Sequence, residues 1–245
     1  MQEKLKSVGQ CLYCQESFSK EDITAHLDGH LNELQRRQQV SVKAFHLRIE
    51  SAFPYFEGAD NLFLNILIDG GVTLAFLDRY LREIWLECCG HQSAFHVRGK
   101  LYTEDFDNLK ADIGENKRIT LAKRLAEGTV LDYEYDFGST TALTITVEKE
   151  LEVIVPASIQ LLSRNEPLAI MCDTCKVKAA KKVCSIHLNN APEAFFCTVC
   201  AGKHAKICPD FKDYGAMKVF NSPRMGTCAY EGGSLDKKRG GAFKD

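Results

Sequence analysis

The chain has 245 residues, 45% of them hydrophobic and 26% charged, with a formal net charge of −2, the balance of a globular protein able to bury a core. No apolar run approaches the roughly 20 residues of a membrane helix, and the N-terminus lacks the apolar stretch of a secretory signal, so the reading is a cytoplasmic protein with no membrane partner. Eleven Cys and 7 His in a reducing compartment argue against a disulfide framework and make metal the first hypothesis.

The charge is unevenly spread. Residues 1–50 balance 7 basic against 7 acidic side chains, residues 51–171 hold 11 against 19, and residues 172–245 hold 13 against 7. These shifts divide the chain into a finger with its linker helix (1–40), an acidic domain (41–170), a basic Cys/His-rich module (171–230) and a Gly/Lys-rich mobile tail (231–245).

Cys11-x2-Cys14, then His26-x3-His30, has the ligand spacing of a ββα zinc finger with an inner gap one residue short. Phe18 and Ile23 sit where the small core of such a finger belongs. The helix positions that would face bases are Ser19, Asp22 and Ala25, with Glu21 beside them. None can make the bidentate contacts of Arg, Lys, Asn or Gln, so a structural or protein-contact finger is preferred to base readout.

In the acidic domain, Phe45–Glu50 alternates as a half-buried strand, and Leu62–Ile68 reads as a second strand ended by Asp69-Gly70-Gly71. Thr73 caps a helix with an apolar stripe at Leu74, Leu77, Leu81, Ile84 and Trp85, and with Asp78, Arg79, Arg82 and Glu83 assigned to its outer face. Strands flank a turn at Arg98-Gly99-Lys100; a polar segment, a short helix near Thr120–Ala126 and strands over Leu131–Gly138 and Leu143–Val147 follow. The expected class is α+β, a central mixed, largely antiparallel sheet domain with flanking small zinc-binding modules.

The basic module carries Cys172, Cys175, Cys184, His187, Cys197, Cys200, His204 and Cys208 as four spaced pairs. Eight ligands suffice for two closed tetrahedral zinc sites, about three ions with the finger. The order resembles cross-braced modules of the B-box, RING and MYND type, first pair with third and second with fourth; a sequential pairing is the alternative. Lys176, Lys178, Lys181 and Lys182 between the ligands suit an acidic partner or nucleic acid.

Three further segments carry a family resemblance: Ile84–Phe95 with its Cys88-Cys89-Gly90-His91, Tyr133–Thr141 with Tyr135-Asp136-Phe137-Gly138, and Asn221–Tyr230 with Asn221-Ser222-Pro223-Arg224. Residues 42–230 resemble an uncharacterised prokaryotic group related to the family named after the third open reading frame of an Ri plasmid, often labelled transposon-passenger resolvase-like. The resemblance implies a compact α+β fold and a C-terminal metal cluster, and brings no agreed activity. Many relatives continue the Tyr-Asp-Phe-Gly turn with an acidic residue, Trp and His, where this chain has Ser139 to Leu143.

The sequence is thus read as a zinc-binding interaction protein recognising another macromolecule, with a protein as the preferred partner. Nucleic-acid binding linked to mobile elements or defence, through the basic end, is the alternative. An enzyme using Asp136, Cys88 or His91 is the third reading, and no catalytic residue is assigned. Cys88, Cys89 and Cys228 are left without a role.

Overall fold

The computed structural model describes residues 7–53, 55–104, 114–188 and 190–235. In chain order it contains β1 (Val8–Cys11), β2 (Ser17–Ser19), α1 (Ile23–Gln38), β3 (Lys43–Ser51), β4 (Phe63–Asp69), α2 (Leu74–Leu81), β5 (Ser93–Val97), β6 (Lys100–Thr103), β7 (Gly114–Asn116), β8 (Val130–Tyr135), β9 (Thr141–Glu152) and β10 (Ile159–Asn165). The C-terminal part adds β11 (Lys182–Cys184), β12 (Phe195–Phe196), α3 (Thr198–His204) and β13 (Ala216–Lys218).

Ten strands form one sheet in the order β2-β1-β10-β4-β3-β9-β8-β5-β6-β7, and β12-β11-β13 form a second. Among the described residues, only β6 and β7 of the large sheet run parallel; the other neighbours are antiparallel. The class is therefore α+β with a mixed, mostly antiparallel sheet. Alternation decides its faces. Phe45, Leu47 and Ile49 of β3, with Leu64, Ile66 and Ile68 of β4, point into a core shared with Leu74, Leu77 and Leu81 of α2. Ala44, Phe63 and Leu67 point the other way and meet Ile23, Leu27 and Leu31 of α1. One helix thus covers each face, and truncating any of these fully buried leucines to Ala costs about 2–5 kcal/mol.

Arg98 (φ 49°) and Gly99 (φ 78°) make the tight turn between β5 and β6, as the strand twist of a two-residue hairpin demands. The expected helix near Thr120 is a single 3-10 turn, Leu121–Lys123. The α2 helix starts where Thr73 Oγ1 accepts from the Phe76 N–H, and it passes into one π turn at Arg82–Leu86. Asp78 corrects the expected outer face: it is 2% exposed, held inward by charged and hydroxyl partners described below.

Two features lie beyond the sequence reading. The strand β10 carries a register shift between Leu161 and Ser163 where it pairs with β4, so Leu161, Leu162 and Ser163 are all buried and the period-2 signal disappears. On its other edge β10 pairs with β1, Cys11 opposite Ser163. The N-terminal hairpin thereby extends the central sheet. The close packing of Phe63 beneath Gly9, where a Cβ would come within 2.5 Å of the ring, requires glycine at that point.

Residues 231–235, expected in a mobile tail, pack against the π turn that follows α2, with the Leu235 N–H donating to Glu83 O at 3.0 Å. Residues 236–245 of that expected tail, and most of the polar segment before Thr120, lie outside the described residues. Among the described residues no helix is long and apolar enough to cross a membrane.

Candidate metal centres

The hairpin β1–β2 and helix α1 bring Cys11, Cys14, His26 and His30 together, their ligand atoms all within 4.8 Å of one another. His26 Nε2 lies 3.3 Å from Cys14 Sγ and 3.2 Å from His30 Nε2. The four-residue step between the two His puts both rings on one face of α1, adjacent to the Ile23–Leu27–Leu31 stripe that grips the sheet. Phe18 stacks on His26 at 3.8 Å between centroids. Ser19 donates to Asp22 Oδ2 at 2.7 Å, so two of the positions that would face bases bind each other.

In the module the ligands meet as first pair with third and second with fourth. Cys172, Cys175, Cys197 and Cys200 form one cluster, and Cys184, His187, His204 and Cys208 the other. The three-stranded sheet and α3 supply this crossing: β11 ends at Cys184, while Cys197 caps α3, which carries Cys200 and His204. His204 stacks on Phe196 at 4.2 Å. Its Nε2 is buried without a hydrogen-bond partner, an arrangement that costs free energy unless a metal takes the lone pair. Backbone N–H groups of Val177 and Lys178 draw the Cys175 thiol down to about 6, whereas burial, reinforced by Cys197 and Cys172, pushes Cys200 up to about 12. Cys175 and Cys200 are thus pulled in opposite directions within one cluster. A bound cation removes that conflict.

The Lys side chains sit around these clusters. Lys176, Lys178 and Lys181 are exposed, with Lys176 paired to Asp173 at 3.3 Å. Lys182 lies on β11 directly opposite Lys218 of β13.

The left-over cysteines converge as well. Cys88, Cys89 and His91, in the segment after α2, meet Cys228 from the far C-terminal part, again within 4.8 Å. Beside them Asp136 (φ 64°) is ion-paired with the fully buried Arg224 at 2.5 Å. Burial works to raise the Asp136 pKa, but Arg224 and the Ser139 and Gly138 N–H groups outweigh it and hold the carboxyl below its usual range. The guanidinium also donates to Thr141 Oγ1 at 3.1 Å and lies over the Tyr135 ring.

A second buried ionic group went unread in the sequence because its members are scattered through it. Asp78 Oδ1 accepts from Ser93 Oγ at 2.6 Å and from Tyr133 Oη at 2.7 Å, while Oδ2 accepts from Arg82 Nε at 2.9 Å. Lys117, fully buried, lies 3.3 Å from Asp78 and donates to Ser93 Oγ at 2.6 Å. An Asp directly after Leu77, inside the span of the apolar helix stripe, was the available signal. This group ties α2 to β5 and β8, with every charge partnered.

The central part of the chain carries the similarity to known proteins. Residues 57–161 match the family model described as plasmid pRiA4b ORF-3-like protein. That stretch runs from the loop before β4 into β10 and leaves out both the hairpin with α1 and the Cys/His module. No curated protein matches the chain. Among solved structures, a protein of unknown function from Methanosarcina mazei Go1 is similar at 16% identity and a TM-score of 0.37, over 45% of this chain and 61% of that one. The chain thus spans less than two thirds of that protein's length.

Proposed function

We propose that the chain is a zinc-dependent interaction protein of the plasmid pRiA4b ORF-3-like family, whose Cys/His module recognises an acidic surface on a partner protein. The donor sets are two thiolates with two imidazoles in the finger, four thiolates in the first cluster of the module, and two of each in its second. All three are sets typical of tetrahedral zinc. Each cluster supplies four protein ligands and leaves no position for a reacting water, so the ions build structure. On this reading residues 1–40, 41–170 and 171–230 are the three working parts.

One observation carries the choice of partner. Val177 is 77% exposed between the exposed Lys176 and Lys178, on the knuckle whose backbone N–H groups point at Cys175. A metal-locked loop that displays Lys-Val-Lys offers an apolar contact with a cationic rim at low ordering cost. Affinity capture from the native host tests it, using the wild type against a Lys176→Glu, Val177→Asp, Lys178→Glu variant with unchanged metal content. The proposal expects a captured protein to be lost with the variant; an unchanged set of captured proteins contradicts it.

The nucleic-acid reading has its own support in Lys182 and Lys218. Like charges directly opposite in a sheet are unfavourable unless an anion lies across them. Salt-dependent binding to unspecific DNA or RNA, weakened by Lys181→Glu with Lys182→Glu, supports that reading, and no binding at low salt ends it.

A further inference from the structure

The acidic domain and the C-terminal segment share one more cluster, built from residues that neither the finger nor the cross-braced module uses. We propose that Cys88, Cys89, His91 and Cys228 form a fourth closed zinc site, which clamps the C-terminal end of the module onto the central domain.

The distances fit a tetrahedral ion. Cys89 Sγ lies 3.7 Å from Cys88 Sγ and 3.5 Å from Cys228 Sγ, and His91 Nε2 lies 2.9 Å and 3.2 Å from Cys89 and Cys228 Sγ. Zinc bonds of about 2.3 Å to sulfur and about 2.0 Å to nitrogen place tetrahedral ligands about 3.8 Å apart for two sulfurs and about 3.5 Å for sulfur and nitrogen. Modest side-chain rotations reach those values. The backbone is already shaped for the task. Gly90 takes φ 76° and donates its N–H to Glu87 Oε1 at 2.6 Å, turning the chain between Cys89 and His91. Cys228 and Ala229 both hold left-handed φ values, 49° and 54°, a conformation that costs free energy and persists where its surroundings impose it.

The surroundings also match the charge. Three thiolates with one zinc ion carry a net charge of −1, and Arg224 Nη2 lies 3.6 Å from Cys88 Sγ, with Tyr135 Oη at 3.8 Å. Outer partners of this kind orient ligands and stabilise thiolates. The same C-terminal segment is registered at three further points. Asn165 Nδ2 donates to Asn221 Oδ1 at 2.8 Å, Ser222 Oγ donates to Trp85 O at 2.7 Å, and Arg224 pairs with Asp136. A metal at Cys228 closes this series and joins residues separated by 139 positions, so the acidic domain and the module become one unit.

The site is independent of what the module binds, and its test separates it from the three-site reading. Native mass spectrometry of the full chain, purified anaerobically, is expected to give four zinc ions for the wild type and three for Cys228→Ser. Alkylation with N-ethylmaleimide supplies a readout on the wild type alone. Cys89 and Cys228 are exposed, yet the proposal expects both to resist modification until a chelator is added. A wild-type count of three, an unchanged count in Cys228→Ser, immediate alkylation, or a Cys89–Cys228 disulfide in the anaerobic protein each overturns it. A count of zero overturns the zinc reading of every cluster.

Discussion

Arg224 donates to Asp136 across 88 positions of chain, Nη2 to Oδ2 at 2.5 Å. The guanidinium is fully buried and the carboxylate nearly so. This pair fastens the Asn221-Ser222-Pro223-Arg224 segment to the turn after β8 and explains why two stretches so distant in sequence both carry distinctive residues. Arg224→Met leaves the Asp136 carboxylate buried and unpaired, an expected loss of about 3–5 kcal/mol in urea-unfolding stability. The Asp136→Asn, Arg224→Met double variant recovers part of that loss. Additive effects in this cycle contradict the pairing.

The Asp78 network makes stability depend on acid. Burial works to raise the Asp78 pKa, while Lys117, Arg82, Ser93 and Tyr133 outweigh it and hold the folded carboxyl below its usual range. A carboxyl depressed on folding contributes stability that is present above its unfolded pKa and is lost as pH falls through the folded one. Wild type should therefore exceed Asp78→Asn in stability at neutral pH, with the gap narrowing below about pH 4. Chemical denaturation at several pH values checks this, and a gap independent of pH contradicts it.

Removing metal should affect the two ends unequally. The module buries Cys172, Cys184, Cys197, Cys200 and Cys208 with Phe196 and Phe211 as a small core of its own, and on the proposed zinc reading a core of that size would depend on the ions it holds. The N-terminal helix differs because Leu27 and Leu31 pack on the central sheet. Limited proteolysis after chelation is expected to cut between residues 172 and 218 while α1 stays protected. Equal release of both ends would contradict the packing of α1 as a structural anchor.

The cap of α2 gives a smaller effect. Thr73 Oγ1 accepts the Phe76 N–H at 3.2 Å, and Thr73→Ala should cost about 1 kcal/mol, measured as a shift of the unfolding midpoint at unchanged slope.

Much of this arrangement is legible in the sequence where the signal is local. The periods of β3 and α2, the turn at Arg98-Gly99 and the spacing of the Cys/His pairs each depend on neighbours within a few residues. The unread parts depend on distance or on irregularity. A register shift hides β10, pairing with β10 carries β1 into the sheet, and Asp78 reads as solvent-facing because Lys117 and Tyr133 are far from it in sequence. Cys88, Cys89 and Cys228 are left over for the same reason. Each fragment lacks a full ligand set until the fold brings them together.

Elemental analysis of the purified full chain tests the central claim most directly, with zinc measured beside iron, cobalt, nickel and copper and expressed per polypeptide. At least three zinc ions per chain are expected, four with the Cys88–Cys228 site, and no other metal in comparable amount. One zinc or fewer per chain would contradict it.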